Sequence, residues 1–195
     1  MNLNRFLLFL TNIEGLGDTT IRKLILAGVF NNFYLKKFED ILGWIKDNRN
    51  YFQRKSVVDN LTLDDLNKAN IKRKMIEKSC LEKGINYISY LDPNYPKRFK
   101  EMNKTKANDF PIIIYFKGDL SLIDDKKNVA IIGTRTPSLN AIRIELEITK
   151  KMAKLGFNIV SGLAEGCDTI AHRTTIETGA KTIEDKSCTL QNLFV

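Results

Sequence analysis

The chain has 195 residues, 43% of them hydrophobic and 28% charged, a balance typical of a globular protein. The formal net charge of +8 favours an anionic partner, and nucleic acid is the commonest one. No apolar run reaches the roughly 18 residues that span a membrane, so the sequence predicts neither a transmembrane helix nor a membrane partner.

The three cysteines, Cys80, Cys167 and Cys188, form no C-x-x-C pair. An odd number of cysteines without metal-ligand spacing indicates reduced thiols, which is typical of a cytoplasmic protein. The start of the chain has no small-residue cleavage site and is therefore a poor signal peptide. The sequence thus predicts a cytoplasmic location and no disulfide framework.

Residues 1–83 are predicted to form a helical domain. In "IEGLGDTTIRKLILAG", Gly15 and Gly17 form a turn and Asp18 is the expected N-cap of the next helix. Gly28 is expected to close that helix. Further along, "INYIS" and "PIIIYF" are predicted strands. The predicted buried face of the helix after Asp18 consists of Ile21, Leu24 and Ile25.

Residues 84–195 are predicted to form a Rossmann-like parallel-sheet domain, so the fold class is α/β. The apolar run "NVAIIG" is typical of a strand covered on both faces. "FNIVSG" and "AKTI" are the next two predicted strands, and a helix precedes each of them. The 3–4 spacing of apolar residues predicts a buried face on the first of these helices. That face comprises Ala141, Ile144, Ile148, Met152 and Leu155.

Two loops, "GTRTPS" (133–138) and "SGLAEGCD" (161–168), each follow a predicted strand and open a helix. Ligands of such sheets bind at the carboxyl ends of the strands, and helix N-termini favour anions. Arg135 adds a forked cation suited to phosphate, while Thr134 and Ser161 add hydroxyl donors. Neither a G-x-G-x-x-G fingerprint nor a Walker lysine is present, so no nucleotide cofactor is predicted.

His172 is the single histidine and lies four residues after Asp168, on the same predicted helix face. A Ser161–His172–Asp168 triad is conceivable, but the serine lacks the G-x-S-x-G elbow of such enzymes. A lone histidine without ligand neighbours is also a poor metal site. The sequence therefore predicts no catalytic residue, no metal site and no enzyme activity.

Together, "NVAIIGTRTPS" and "GFNIVSGLAEGCDTIAHRTTIETGAKTI" closely resemble the DNA processing protein A family, also called DprA or Smf. "YLDPNYPKRFKEM" and "PIIIYFKGDL" resemble that family's approach to its Rossmann-like domain. "IEGLGDTTIRKLI" resembles the SAM-like or helix-hairpin-helix domain at the N-terminus of many members. The resemblance covers residues 1–183.

The resemblance implies a protein without hydrolytic activity that binds and protects single-stranded DNA. It also implies loading of a RecA-type recombinase during natural transformation, and a homodimer. Asp168 and His172 are then expected to hold the second loop and its helix in shape. The implied contacts to DNA phosphate are Gly133, Thr134, Arg135, Ser161, Gly162 and Gly166.

Two departures from the family pattern modify these expectations. Glu165 stands where the family usually has Arg or Lys, and an acid there is expected to weaken binding and lower its salt dependence. After "AKTI" the chain reads "EDKSCTLQNLFV" (184–195) and stops, as a truncation or frameshift product would. The Rossmann-like domain is thus expected to be incomplete. "VAIIG" is then expected at an open sheet edge, without the dimer and recombinase surfaces.

Two alternatives remain open from the sequence. One is a nucleotide-binding Rossmann-like enzyme such as a phosphoribohydrolase, with Glu165 as the acid in its loop. The other is a defective remnant in which only the helical domain folds. In that case the backbone N–H groups near Gly15 and Gly17 could still contact phosphates.

Overall fold

The computed structural model describes residues 2–30, 37–101 and 110–184. It divides into two compact units, unit 1 (Met1–Gly118) and unit 2 (Asp119–Val195). The boundary predicted between residues 83 and 84 lies inside unit 1, because the strands that follow residue 84 pair with each other there. The tail after residue 184, including Cys188, lies outside the described residues.

Unit 1 is mainly helical, as predicted. Its strands β1 and β2 are antiparallel, with Asn86 opposite Phe116 and Ser89 opposite Ile113. The core lies between the helices and holds Phe6, Phe9 and Leu66 with almost no exposure. The elements are α1 (Leu3–Leu10), α2 (Asp18–Leu26), α3 (Phe38–Asp47), α4 (Lys55–Asp59), α5 (Leu63–Glu82), β1 (Asn86–Ser89), α6 (Lys97–Glu101) and β2 (Ile113–Phe116).

Helix α2 buries its predicted face, since Ile21, Leu24 and Ile25 are at most 6% exposed. Its start differs from the prediction: the N-cap is Gly17, and Asp18 is already helical. The extended backbone of Gly17 lets its carbonyl accept from the amide of Thr20. Asp18 therefore contributes a carboxylate to the first turn, where the helix dipole favours it.

Unit 2 is the predicted β-α-β-α-β arrangement with a parallel sheet in the order β3-β4-β5. The register pairs Ala130 with Val160 and Val160 with Ile183. The elements are β3 (Asn128–Ala130), α7 (Leu139–Lys154), β4 (Asn158–Ser161), α8 (Cys167–Glu177) and β5 (Thr182–Glu184). The carboxyl ends of β3 and β4 therefore lie side by side, and both candidate loops leave from them.

The buried face predicted for α7 is wrong. Ile144, Ile148 and Leu155 are 45%, 48% and 56% exposed, whereas Thr149 and Ala153 are buried. Helix α7 packs against α8 and β4, and close packing of two helices favours the small side chains of Thr149 and Ala153. The apolar periodicity thus identified an apolar face on α7, but this is not the face that packs against α8 and β4.

Strand β3 is also less covered than its apolar sequence predicts. Ala130 is exposed and Ile132 is 76% exposed, so the run "VAIIG" is not buried on both faces within the described part of the chain. Within the same residues β3 pairs on one side, with β4.

None of the helices in the described ranges is long and apolar enough to cross a bilayer.

Candidate nucleic-acid interface

The first candidate loop joins β3 to α7 and presents its polar residues at the surface. Ser138 caps α7 by accepting a hydrogen bond from the Ala141 amide at 3.3 Å. The Thr134 hydroxyl oxygen accepts from the Thr136 amide at 3.3 Å and so fixes the turn between them. Arg135, between these two threonines, is exposed and forms no ion pair with a described residue. Its guanidinium is therefore available to an external anion.

The second candidate loop joins β4 to α8 and is held from within. A carboxylate oxygen of Asp168 accepts from the Ala164 amide at 3.3 Å, and the Thr169 hydroxyl donates to the Ala164 carbonyl at 2.9 Å. Asp168 is only 8% exposed and lies in the first turn of α8. These two contacts fix the loop to the first turn of α8.

The two loops interlock through backbone contacts. The Cys167 amide, at the start of α8, donates to the Thr134 carbonyl at 3.1 Å. Gly166 has φ +85° and ψ −128°, and a Cβ there would overlap the carbonyl oxygens of Thr134 and Arg135. A Cβ on Gly133 would lie 2.6 Å from the Cys167 sulfur. Both glycines are therefore needed for close approach, and the position of Arg135 depends on the second loop.

His172 connects α8 with the start of the second loop and with β5. Its Nε2 lies 2.7 Å from the Gly162 carbonyl oxygen, which can only accept, so Nε2 carries the proton. Its Nδ1 lies 2.7 Å from the Thr182 hydroxyl oxygen. These two bonds fix the loop entry between neighbouring strands. Thr182 was missed by the sequence analysis because it lies ten positions after His172, beyond the end of α8 and on the next strand.

Ser161 lies at the end of β4 and is 2% exposed. Its hydroxyl donates to the Ile131 carbonyl at 2.6 Å and so ties the end of β4 to the end of β3. This placement does not favour the direct phosphate contact predicted for Ser161. The bonds of Ser161, Asp168 and His172 all go to other groups, so the three do not assemble into a triad in the described structure.

Beneath the loops, the Cys167 thiol faces the carboxylate of Glu145 on α7. The hydrogen bond to Glu145, followed by burial, raises the pKa of Cys167. The thiol is therefore kept protonated at neutral pH and is a packing group, not a nucleophile. The sequence analysis missed this contact because helix α7 places Glu145 beside a residue 22 positions later.

The exposed surface of the paired loops carries charges of both signs. Arg135 supplies a cation. Gly166, the N-cap residue of α8, has no side chain that could accept from the first amides of the helix. Uncapped helix amides favour anions. Glu165 is exposed on the second loop and opposes this preference. Within the described ranges, no group of three or more His, Cys, Asp or Glu residues is arranged to hold a metal ion.

Several known proteins are similar to this chain. DNA processing protein DprA of Bacillus subtilis is 28% identical over 152 residues, which cover 73% of this chain and 50% of that protein. Protein Smf of Borreliella burgdorferi is 28% identical over 192 residues, covering 96% and 54%. DNA processing protein DprA of Streptococcus pneumoniae is 35% identical over 96 residues, covering 49% and 32%. The chain thus spans about half or less of the length of these relatives.

A solved structure shows the same fold. The X-ray structure of DNA processing protein A from Streptococcus pneumoniae matches with a TM-score of 0.62 at 23% identity, over 94% of this chain and 58% of that one. The family model of DNA recombination-mediator protein A matches residues 86–193, which include both loops. Because this match covers more than half of the chain, the protein belongs to the DNA recombination-mediator protein A family, also called DprA or Smf.

Proposed function

We propose that this chain takes part in DNA processing and recombination by binding the phosphate backbone of single-stranded DNA at the interlocked loops 133–138 and 161–168. The observation that carries the proposal is the fixed presentation of Arg135, which is exposed, unpaired with any described residue and held from below by Gly166 and Cys167. The held backbone places the guanidinium where an incoming phosphate can meet it, so that only the side-chain rotamers of Arg135 have to be ordered on binding.

The remaining donors of the proposed site are backbone amides. Gly133, Thr134 and Gly162 offer a surface without bulky side chains, so that a phosphate could approach the chain closely. The N-termini of α7 and α8 both begin at these loops and add favourable dipoles. Glu165 lowers the affinity in this proposal, because a carboxylate near the strand repels phosphate.

The experiment is a fluorescence-anisotropy titration with a dye-labelled dT20 oligonucleotide at several salt concentrations. Arg135→Ala is expected to weaken binding and to reduce the slope of log K against log salt by about 0.7, the loss of one phosphate contact on a single strand. Lys154→Ala is the matched control, because it removes one positive charge at the opposite end of α7. Equal effects of the two substitutions would contradict the proposed site.

We also propose that the protein acts in the cytoplasm and contributes to the loading of a RecA-type recombinase. This part rests on the family resemblance, and the free thiols of Cys80 and Cys167 are compatible with the location. A strand-exchange assay with a RecA-type recombinase tests the loading step: stimulation by this chain would support it, and the rate of the recombinase alone would contradict it.

A further inference from the structure

Helix α5 of unit 1 presents a regular stripe of side chains to the solvent. Its opposite side faces the core, where Leu66, Ala69 and Cys80 are buried. The exposed residues recur in alternating steps of four and three positions, which is the a/d spacing of a coiled-coil seam. We call this set the outer stripe, and it consists of Asp64, Lys68, Ile71, Met75, Lys78 and Glu82.

Two apolar side chains form the centre of the outer stripe. Ile71 is 51% exposed and Met75 is 59% exposed. They lie four positions apart, so their side chains are neighbours on the helix surface. Apolar residues scattered singly over a surface are ordinary, but an adjacent pair on a seam of this spacing offers two anchors to a second helix.

Lysines flank this apolar pair on both sides. In the heptad that the outer stripe defines, Lys72 follows Ile71 at position e, and Lys74 precedes Met75 at position g. Both lysines are exposed, and neither forms an ion pair with a described residue. Charges at positions e and g select the partner of a helix through salt bridges between the two helices. Two lysines there favour a partner that carries carboxylates.

The order of charges along the outer stripe disfavours a second copy of this chain as the partner. At the ends of the stripe, Lys68 lies 2.6 Å from Asp64 and Lys78 lies 3.8 Å from Glu82. Two antiparallel copies of α5 would place Lys68 opposite Lys78 and Asp64 opposite Glu82, because the stripe is symmetric about its middle. Like charges placed opposite each other oppose association, so the stripe fits a different sequence better than its own.

The charge of unit 1 as a whole also favours an acidic partner. Residues 1–118 contain 21 Lys and Arg against 13 Asp and Glu, and residues 119–195 contain 10 against 10. Unit 1 therefore carries the entire net charge of +8. A field of this sign attracts acidic segments and speeds their association.

We propose that the outer stripe of α5 is a docking surface for an acidic amphipathic helix of a partner protein. The apolar residues of that helix pack on Ile71 and Met75, and its Asp or Glu residues pair with Lys72 and Lys74. A nucleic-acid backbone is a poorer match, because its phosphates would meet two apolar side chains at the centre of the stripe and a carboxylate at each end. This inference does not depend on the DNA binding proposed for unit 2.

Ile71→Glu tests the docking surface without disturbing the core. The substitution removes one apolar anchor and places a carboxylate where the acidic helix would lie. Glutamate is a good helix former and position 71 is half exposed, so the variant is expected to fold like the wild type. Ile176→Glu is the matched control, because Ile176 is 65% exposed on α8 of unit 2 and the change of charge is the same. Thermal unfolding of both variants checks that they are folded.

The measurement is a fluorescence-anisotropy titration of the full chain with a labelled helical peptide of three heptads. This probe carries Leu at positions a and d of its middle heptad and Glu at positions e and g. A scrambled peptide of the same composition keeps the charge and loses the apolar face. The wild type is expected to bind the probe at least about tenfold more tightly than the scrambled peptide. Ile71→Glu is expected to raise the Kd of the probe at least about fivefold, against less than about twofold for Ile176→Glu.

The possible outcomes separate this surface from general charge attraction and from DNA binding. Equal affinity for the probe and the scrambled peptide would overturn the proposal, because net charge alone would then account for binding. Equal increases of Kd in Ile71→Glu and Ile176→Glu would overturn it as well. Displacement of the probe by dT20 from the Arg135→Ala variant would also overturn it, since α5 would then be a nucleic-acid surface. Unchanged probe binding in Arg135→Ala, without displacement by dT20, would support it.

Discussion

At the scale of single residues, the candidate site depends on the lack of a side chain at Gly133 and at Gly166. Gly133 leaves room for the Cys167 side chain, and Gly166 leaves room for the backbone of the first loop. Gly166 also has a positive φ that residues with a side chain rarely adopt. The glycines thus set the distance between the loops, and Arg135 takes its position from that distance.

Gly166→Ala is expected to destabilise the protein by at least about 2 kcal/mol, because backbone strain and overlap with the Thr134 and Arg135 carbonyls add together. Gly179→Ala is the matched control: Gly179 has φ +72°, and a Cβ there would meet nothing within 4 Å. Gly179→Ala is expected to lower the free energy of unfolding by about 1 kcal/mol. Urea unfolding and dT20 binding of both variants check this, and equal costs would contradict the interlocked loops.

The sequence predicted the residue types at the loops but not their contacts. The glycines, Arg135 and the helix starts follow local rules, so their spacing could be interpreted directly. The contacts of Ser161 with Ile131 and of Cys167 with Thr134 join residues about 30 positions apart. Such contacts are set by the pairing of β3 and β4, which a single sequence does not specify.

At the scale of elements, the α7–α8 interface contains a polar group without a partner. Thr149 is fully buried in this interface, and its hydroxyl has no hydrogen-bond partner in the described structure. Thr175 on α8 is equally buried, but its hydroxyl donates to the Ala171 carbonyl at 2.7 Å. The two threonines thus have the same burial and different hydrogen bonding.

Thr149→Val is expected to stabilise the protein by about 1 kcal/mol, because valine has the same shape and no hydroxyl to desolvate. Thr175→Val is expected to bring no gain, since it removes a satisfied hydrogen bond. Thermal unfolding of both variants measures the difference. A destabilised Thr149→Val protein would show that the hydroxyl has a partner.

A second element-level feature joins α1, α5 and β1 through Glu77. Burial works to raise the pKa of Glu77, but the hydrogen bond from Tyr87 and the charges of Arg73 and Arg5 together lower it. Tyr87 donates to one carboxylate oxygen at 2.6 Å, and Arg73 donates to the other at 2.6 Å. The ionised carboxylate therefore stabilises the packing of these three elements.

Because its pKa is lowered in the folded state, Glu77 contributes stability above the unfolded pKa of about 4.3 and loses it as the pH falls through the folded pKa. Glu77→Gln is expected to cost about 1–3 kcal/mol at pH 7 and progressively less below about pH 4. Glu82→Gln on the same helix, with a weak surface pair at 3.8 Å, is expected to change little. Urea unfolding of both variants at pH 7 and below about pH 4 checks this. A loss of unfolding free energy in Glu77→Gln that is the same at both pH values would contradict it.

The positions of the helices and strands were largely predictable from the sequence, whereas the faces that they bury were not. Gly28 follows the end of α2 as predicted and has a positive φ, and Gly156 has the same conformation after α7. The exposed stripe on α7 was assigned to the core, because periodicity records where apolar residues lie and not which side meets a neighbour. The division after Gly118 is not marked in the sequence, because the change of composition after residue 83 does not show which elements β1 packs against.

At the scale of the whole molecule, the two units have different physical characters. Unit 1 has its own extended core and all of the net charge, whereas unit 2 carries the family loops and no net charge. Residues 1–118 are therefore expected to fold alone and to unfold cooperatively on heating. Circular dichroism of that fragment checks this prediction, and a non-cooperative melt would contradict the division at Gly118.

The measurement that tests the central claim most directly is the dT20 affinity of Glu165→Lys. If the DNA backbone crosses the interlocked loops, replacing this acid with a base should tighten binding at least about threefold and steepen the salt slope by about 0.7. Glu177→Lys, at the other end of α8, is the matched control and should change both much less. An equal gain in the two variants, or no gain in Glu165→Lys, would contradict a DNA path over these loops.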